Sequence, residues 1–210
     1  MADFLNRDPR NPQFWDERFE KNFIPWDKGN VPADLQTFMQ ARLQTTSQAT
    51  QQTLNTLIPG CGNGYEAAFL AQAGWPVVAI DFSPAAVRSA QAAIGEWGKH
   101  VIEADFFAYT PAQPLGLIYE RAFFCALPPA MRADIVKRWA ALLPADALLA
   151  GYFFFDDAPD ASLKGPPFTI HSAAFRELMV PYFDLLEEWA VSDSIPVFAG
   201  KEWWQVWRRL

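Results

Sequence analysis

Between residues 59 and 64 the chain reads Pro-Gly-Cys-Gly-Asn-Gly, and Asp81 follows 21 residues after Gly60. Glycines lack the Cβ that blocks a sharp turn, so a ligand can approach the backbone closely. A carboxylate at the tip of the next strand can accept hydrogen bonds from both hydroxyls of a ribose. Taken singly, a tight turn and a helix-capping Asp account for these residues without any ligand. Loop, spacing and strand context together point to a ligand that contains a nucleoside. A dinucleotide fingerprint places its third glycine five residues after the first. Here Gly64 is four after Gly60, and Tyr65 holds the dinucleotide position. No Gly-Lys-Ser/Thr follows the loop, which disfavours ATP hydrolysis.

Two further segments carry polar groups at predicted strand ends. In Ala104-Asp105-Phe106-Phe107 an Asp precedes aromatic residues. That pairing suits an adenine, whose amine meets the carboxylate and whose ring lies against an apolar side chain. A polar turn followed by core phenylalanines is the plain alternative. The segment Tyr119-Glu120-Arg121-Ala122-Phe123-Phe124-Cys125-Ala126 places charges at a buried strand tip, where they are costly unless paired. Glu120 and Arg121 fit either a local ion pair or contact with the charged end of a cofactor. No catalytic base is assigned. His100 reads as an edge-of-strand residue and His171 as a pre-helix residue. Cys61 and Cys125 make neither a disulfide framework nor a metal site.

These loops need a frame, and the chain supplies one. Strands are predicted over 54–58, 76–80, 100–103, 115–119, 147–155, 185–191 and 203–208. Helices are predicted over 65–73, from Ser83-Pro84 to about Trp97, over 129–143 and over 173–182. The Ser-Pro pair is a start signal, a hydroxyl cap before a proline at the first helical position. The run 147–155 is apolar throughout, as a strand buried on both faces would be. Strands alternating with helices imply a mainly parallel sheet with right-handed crossovers. Ligands then bind beyond the carboxyl ends of its strands.

Residues 1–53 differ: they are polar-aromatic, with proline breaks at 9, 12, 25 and 32. Helices fit 13–22 and 33–43, and 44–53 reads as a linker. The expected organisation is an N-terminal cap over 1–53 and one α/β unit over 54–210. A net charge of −7, with Arg208-Arg209 as the one short basic cluster, makes nucleic acid an improbable partner. No apolar run approaches the ~20 residues that span a bilayer, and the N-terminus lacks a signal-peptide layout. The expectation is a cytoplasmic, monomeric protein without metal, acting on a small molecule.

The chain resembles the thiopurine methyltransferase-like branch of class I methyltransferases, which depend on S-adenosylmethionine (SAM) and include halide and thiol methyltransferases. The resemblance runs from Phe14-Trp15 and Pro25-Trp26-Asp27-Lys28-Gly29 through Pro59-Gly60-Cys61-Gly62-Asn63-Gly64-Tyr65-Glu66 and Asp81-Phe82-Ser83-Pro84. It continues through Asp105-Phe106-Phe107, Phe123-Phe124-Cys125-Ala126 and Gly165-Pro166-Pro167-Phe168 to Gly200-Lys201-Glu202. It implies a Rossmann-like fold with a seven-stranded, mainly parallel sheet flanked by helices and an N-terminal helical lid. Trp15, Phe19 and Trp26 would close over the cofactor; Phe19 stands where many relatives carry Trp. Gly60 and Gly62 would lie against the methionine part, Asp81 would hold the ribose, Asp105 and Phe106 would frame the adenine. Arg121 would sit near the methionine carboxylate. Arg at that position is like the thiopurine enzymes, whereas Phe123-Phe124-Cys125-Ala126 is like the halide and thiol enzymes.

Methyl transfer from a sulfonium to a soft anion needs alignment and exclusion of water more than proton transfer. Aromatic faces tolerate the cation. The expected acceptor mouth therefore comprises Phe23, Trp26, Phe123, Tyr152, Phe153 and Phe168. Acceptors consistent with the resemblance are thiols and thiopurines, halides, thiocyanate, and selenium or tellurium species; the product would be S-adenosylhomocysteine (SAH). A nicotinamide oxidoreductase and a non-catalytic SAM-binding protein stand as alternatives from the residues alone.

Overall fold

The computed structural model describes residues 3–44, 53–162 and 164–210. Seven strands form one sheet in the order β3-β2-β1-β4-β5-β7-β6. They are β1 (Thr56–Pro59), β2 (Val77–Asp81), β3 (Val101–Glu103), β4 (Leu117–Arg121), β5 (Leu148–Phe154), β6 (Phe183–Ala190) and β7 (Glu202–Arg209). Strands β1 to β5 run parallel to one another, and β7 runs antiparallel to both β5 and β6. The order reverses between β1 and β4, and that switch point opens the crevice at the strands' carboxyl ends.

The helices are α1 (Pro12–Glu20), α2 (Ala33–Gln44), α3 (Tyr65–Gln72), α4 (Pro84–Ile94), α5 (Arg132–Leu142) and α6 (Ser172–Met179). The predicted linker over 44–53 lies almost wholly outside the described residues. Helix α4 stops at Ile94, before the predicted Trp97, because Gly95 takes φ +58 and the chain continues as a 3-10 turn to His100. Ser83 caps α4, its hydroxyl accepting from Ala86 N–H at 3.1 Å. His171 caps α6 through its ring nitrogen, which accepts from Ala173 N–H at 3.3 Å.

Alternation along each strand divides the core into two layers. Leu57, Ile118, Leu149, Phe153 and Trp207 face α5 and α6, where Trp139 and Phe175 fill the layer. Ile58, Leu117, Tyr119, Tyr152 and Trp204 face α2, α3 and α4. Removing each such large apolar side chain from water contributes roughly 1.5–3 kcal/mol. Strand β5 is buried at every residue, being flanked by β4 and β7. Gly151 is the tight point of that pairing, since a Cβ there would lie 1.9 Å from the Glu120 carbonyl oxygen. Strand β4 lies two residues beyond its predicted span, so Glu120 and Arg121 are its last residues and not the loop that follows. They consequently point to opposite faces.

Candidate active site

A cavity of about 720 Å³ opens over the carboxyl ends of β1, β2 and β4. Its floor is the glycine loop. Gly60 has φ +59, and a Cβ on it would meet Phe123 Cδ2 at 2.8 Å. The loop is pinned from beneath by Cys61 N–H, which donates to Ile80 O at 3.1 Å.

Asp81 ends β2 and is buried. Its two oxygens accept from Ser83 N–H at 3.0 Å and from Gly62 N–H at 3.3 Å. Burial pushes its carboxyl up to about 6, against those backbone N–H groups and with help from nearby Asp16. Asp105 is exposed, its carboxylate accepting from Phe107 N–H at 2.9 Å. Phe106 is buried, its ring edge-on to Phe123 with centroids 4.9 Å apart.

The roof is the N-terminal segment. Helix α1 starts at Asn11, whose side chain accepts from Gln13 N–H at 3.0 Å, with Pro12 at the first helical position. Its aromatic face presents Phe14, Trp15 and Phe19, and Trp26 follows. Trp15 and Trp26 meet edge-on at 5.5 Å, and Phe19 meets Trp26 at 6.2 Å. The Phe19 ring also hangs over Gly62, 3.8 Å from where a Cβ would stand. Asp16 ties α1 to α4 by accepting from Ser83 Oγ and Ala85 N–H. Asp27 accepts from the Asn63 amide, and Lys28 pairs with Asp193 in the β6–β7 connection.

Beside the glycine loop Glu66, in the first turn of α3, faces Arg121 at the tip of β4. Arg121 Nη1 donates to Glu66 Oε1 at 3.4 Å. Burial pushes the Glu66 carboxyl up, and Arg121 opposes the shift. Glu120 points the other way, behind the loop, where one oxygen accepts from Phe123 N–H at 2.9 Å and Phe124 N–H at 2.8 Å. Thus Glu120 and Arg121 are not a local pair. Burial lifts Glu120 to about 8. Both thiols are also pushed up, first by burial; Asp81 and Glu66 add to this at Cys61, Glu120 and Glu202 at Cys125. Thiols held protonated in this way are poor nucleophiles.

Most of the residues singled out in the sequence meet at this cavity. Trp15, Phe19, Phe23, Trp26, Gly60, Gly62, Asp81, Asp105, Phe106, Arg121 and Phe123 line it. Tyr152, Phe153 and Phe168 do not. Tyr152 lies in the layer beneath α2, its hydroxyl accepting from Asp34 N–H at 3.1 Å. Phe153 lies in the opposite layer against Phe175. Phe168 turns its ring onto Gly165, and the cavity wall is formed instead by Gly165, Pro166 and Pro167. Glu66 stands in the motif that carries the family resemblance, but neither it nor Asp16 has a role legible in the sequence. A helical Glu and a lid Asp acquire one only when the fold sets them against Arg121 and Ser83.

The fold is that of the class I SAM-dependent methyltransferases. Residues 10–209 match the family model for thiopurine S-methyltransferase (TPMT), and the chain belongs to that family. It is 28% identical over 201 residues to thiocyanate methyltransferase 1 of Arabidopsis thaliana, covering 93% of this chain and 84% of the relative. It is 29% identical over 209 residues to thiopurine S-methyltransferase of Shewanella amazonensis, covering 90% and 92%. Among solved structures, the fold matches a Burkholderia thailandensis 1,6-didemethyltoxoflavin-N1-methyltransferase with bound SAH. The TM-score is 0.70 at 15% identity, covering 99% of this chain and 93% of the other. No helix among the described residues is long and apolar enough to cross a membrane.

Proposed function

We propose that this methyltransferase acts on a small, soft nucleophile: a thiol or thiopurine, a halide, thiocyanate, or a selenium or tellurium species. The observation that carries this reading is the wall of the cavity beyond the glycine loop. It is built from Phe23, Trp26, Phe123, Leu127, Pro166 and Phe198, and no histidine lines the cavity. The apolar side chains of this wall offer an acceptor no partner for its proton, so a nucleophile that is already electron-rich suits it best.

In this reading residues 1–53 act as a lid, with Trp15, Phe19 and Trp26 covering the cofactor. Asp81 holds the ribose, Asp105 and Phe106 frame the adenine, Gly60 and Gly62 lie against the methionine part, and Arg121 holds its carboxylate. Phe23 and Phe123 border the acceptor. Bound SAM supplies a methyl group on a sulfonium, passed in line to the acceptor's lone pair with SAH as product. The chain's own part is to align the two and exclude water. Alignment of that kind is worth several kcal/mol, and a dry aromatic wall leaves a soft anion poorly solvated and reactive.

A methyl-transfer screen with radiolabelled SAM tests this. Thiophenol, 6-mercaptopurine, sulfide, iodide and thiocyanate form one panel; a primary amine, a phenol and a carboxylate form the other. Transfer confined to the second panel would overturn the reading.

A further inference from the structure

The Glu66–Arg121 pair is incomplete as an ion pair. Its single contact is 3.4 Å long, at the outer limit of a hydrogen bond, although the side chains are 11% and 13% exposed. Buried opposite charges repay their lost hydration only with close, multiple contacts, and bidentate Arg–carboxylate geometry is the usual means. Neither is present. Tyr119 lies on the same face of β4 as Arg121 and lines the same cavity. Its hydroxyl is fully buried and has no hydrogen-bond partner among the described residues. One anion, one cation and one neutral donor–acceptor thus border the cavity together, each with bonding capacity left over.

We propose that Glu66 is a cofactor-binding residue, taking the α-ammonium of the methionine moiety while Arg121 takes its α-carboxylate. A zwitterion carries both charges on one carbon and is neutral overall, as the Glu66–Arg121 pair is. On binding, each protein charge gains a second, opposite partner and the site's net charge is unchanged. A ligand with the carboxylate alone would leave Glu66 facing added negative charge. A ligand with neither group would leave the pair as it stands. The proposal rests on the cofactor seat proposed above, with the amino-acid end beside the glycine loop.

Calorimetric titration of the full chain with three ligands tests it: SAH, its des-amino analogue, and 5′-methylthioadenosine, which lacks the whole amino-acid end. The wild-type chain is expected to bind SAH about ten- to a hundredfold more tightly than the des-amino analogue, the usual range for one charged hydrogen-bonding group. Glu66→Gln is expected to remove most of that preference while leaving 5′-methylthioadenosine affinity within about twofold. Equal wild-type affinity for SAH and the des-amino analogue overturns the proposal, even if the variant fails to fold. So does a variant that weakens SAH and 5′-methylthioadenosine alike, which would make Glu66 a support for the loop. If 5′-methylthioadenosine fails to bind the wild type, the adenosine seat itself falls.

Discussion

The carboxylate of Asp16 accepts a 2.6 Å hydrogen bond from the Ser83 hydroxyl, across the seam between the N-terminal helix and the sheet. The same oxygen accepts from Ala85 N–H at 2.9 Å, so a residue of α1 helps to cap α4. Ser83 in turn donates its backbone N–H to Asp81. The roof and Asp81 are therefore joined through one chain of hydrogen bonds. The neighbouring Arg88–Glu20 contact, 3.7 Å and exposed, contributes little beside it.

Asp16→Ala should cost about 1 kcal/mol of stability as the cap is lost. Because α1 then loses its polar anchor, amide exchange over residues 12–20 should quicken and SAH should dissociate faster. Hydrogen-exchange mass spectrometry with and without SAH checks this. Unchanged exchange in α1 would show that aromatic packing alone holds the roof.

Asp81→Ala should weaken SAM and SAH binding by about 1–3 kcal/mol, the range for losing hydrogen bonds to a charged acceptor. The carboxylate is raised to about 6 in the folded chain. Its contribution to ligand-free stability is then fully present below the unfolded value of 3.8 and is lost as pH rises through about 6. Asp81→Asn leaves one of the two N–H donors facing an amide NH2, a cost that does not depend on pH. Its stability relative to the wild type should therefore rise from pH 4 to pH 7 without ligand, and it should gain less from added SAH. Differential scanning calorimetry across that range, with and without ligand, reads both changes. A difference that does not change with pH, together with a full response to SAH, would remove Asp81 from the site.

The alternation of strands and helices was legible because apolar runs, Gly74 and Ser83-Pro84 mark most boundaries locally. Asp81 and the glycine loop were legible for the same reason, since a strand tip and a turn declare themselves in sequence. Tyr152 and Phe153 misled because β5 is buried on both faces. An aromatic residue near such a strand's end reads the same whether it enters a cavity or a core. Glu66 and Arg121 are 55 residues apart in sequence, and only the β1–β4 adjacency brings them together. The strand β4 boundary depended on pairing with β5 as far as Arg121↔Tyr152, which no local pattern records.

Gly60→Ala should destabilise the chain by about 1–3 kcal/mol, since φ +59 is strained for a residue with a Cβ. The contact with Phe123 Cδ2, 2.8 Å from that Cβ, adds a steric component. A double-mutant cycle with Phe123→Ala separates the two. The pair should cost less than the sum of the single changes, because truncating Phe123 removes the clash but leaves the backbone strain. Strict additivity would mean that the ring moves aside at no cost.

Glu120 anchors the turn that carries Phe123, and it does so from a buried position where its second oxygen has no hydrogen-bond partner among the described residues. Its carboxyl rises from 4.5 to about 8, driven first by burial. Between those values the folded chain keeps a proton that the unfolded chain has lost, so the stability Glu120 contributes falls as pH climbs through that window. Glu120→Gln retains a carbonyl oxygen for the two N–H donors and cannot ionise. Its stability relative to the wild type should therefore increase from pH 5 to pH 9, by on the order of 1–3 kcal/mol at the alkaline end. Glu120→Ala should behave differently, losing about 1–3 kcal/mol at every pH because two buried N–H groups are orphaned. Urea midpoints for the three chains across that pH range decide the matter. A Glu120→Gln difference that does not change with pH would mean that the carboxyl titrates normally, with water reaching the oxygen that lacks a partner.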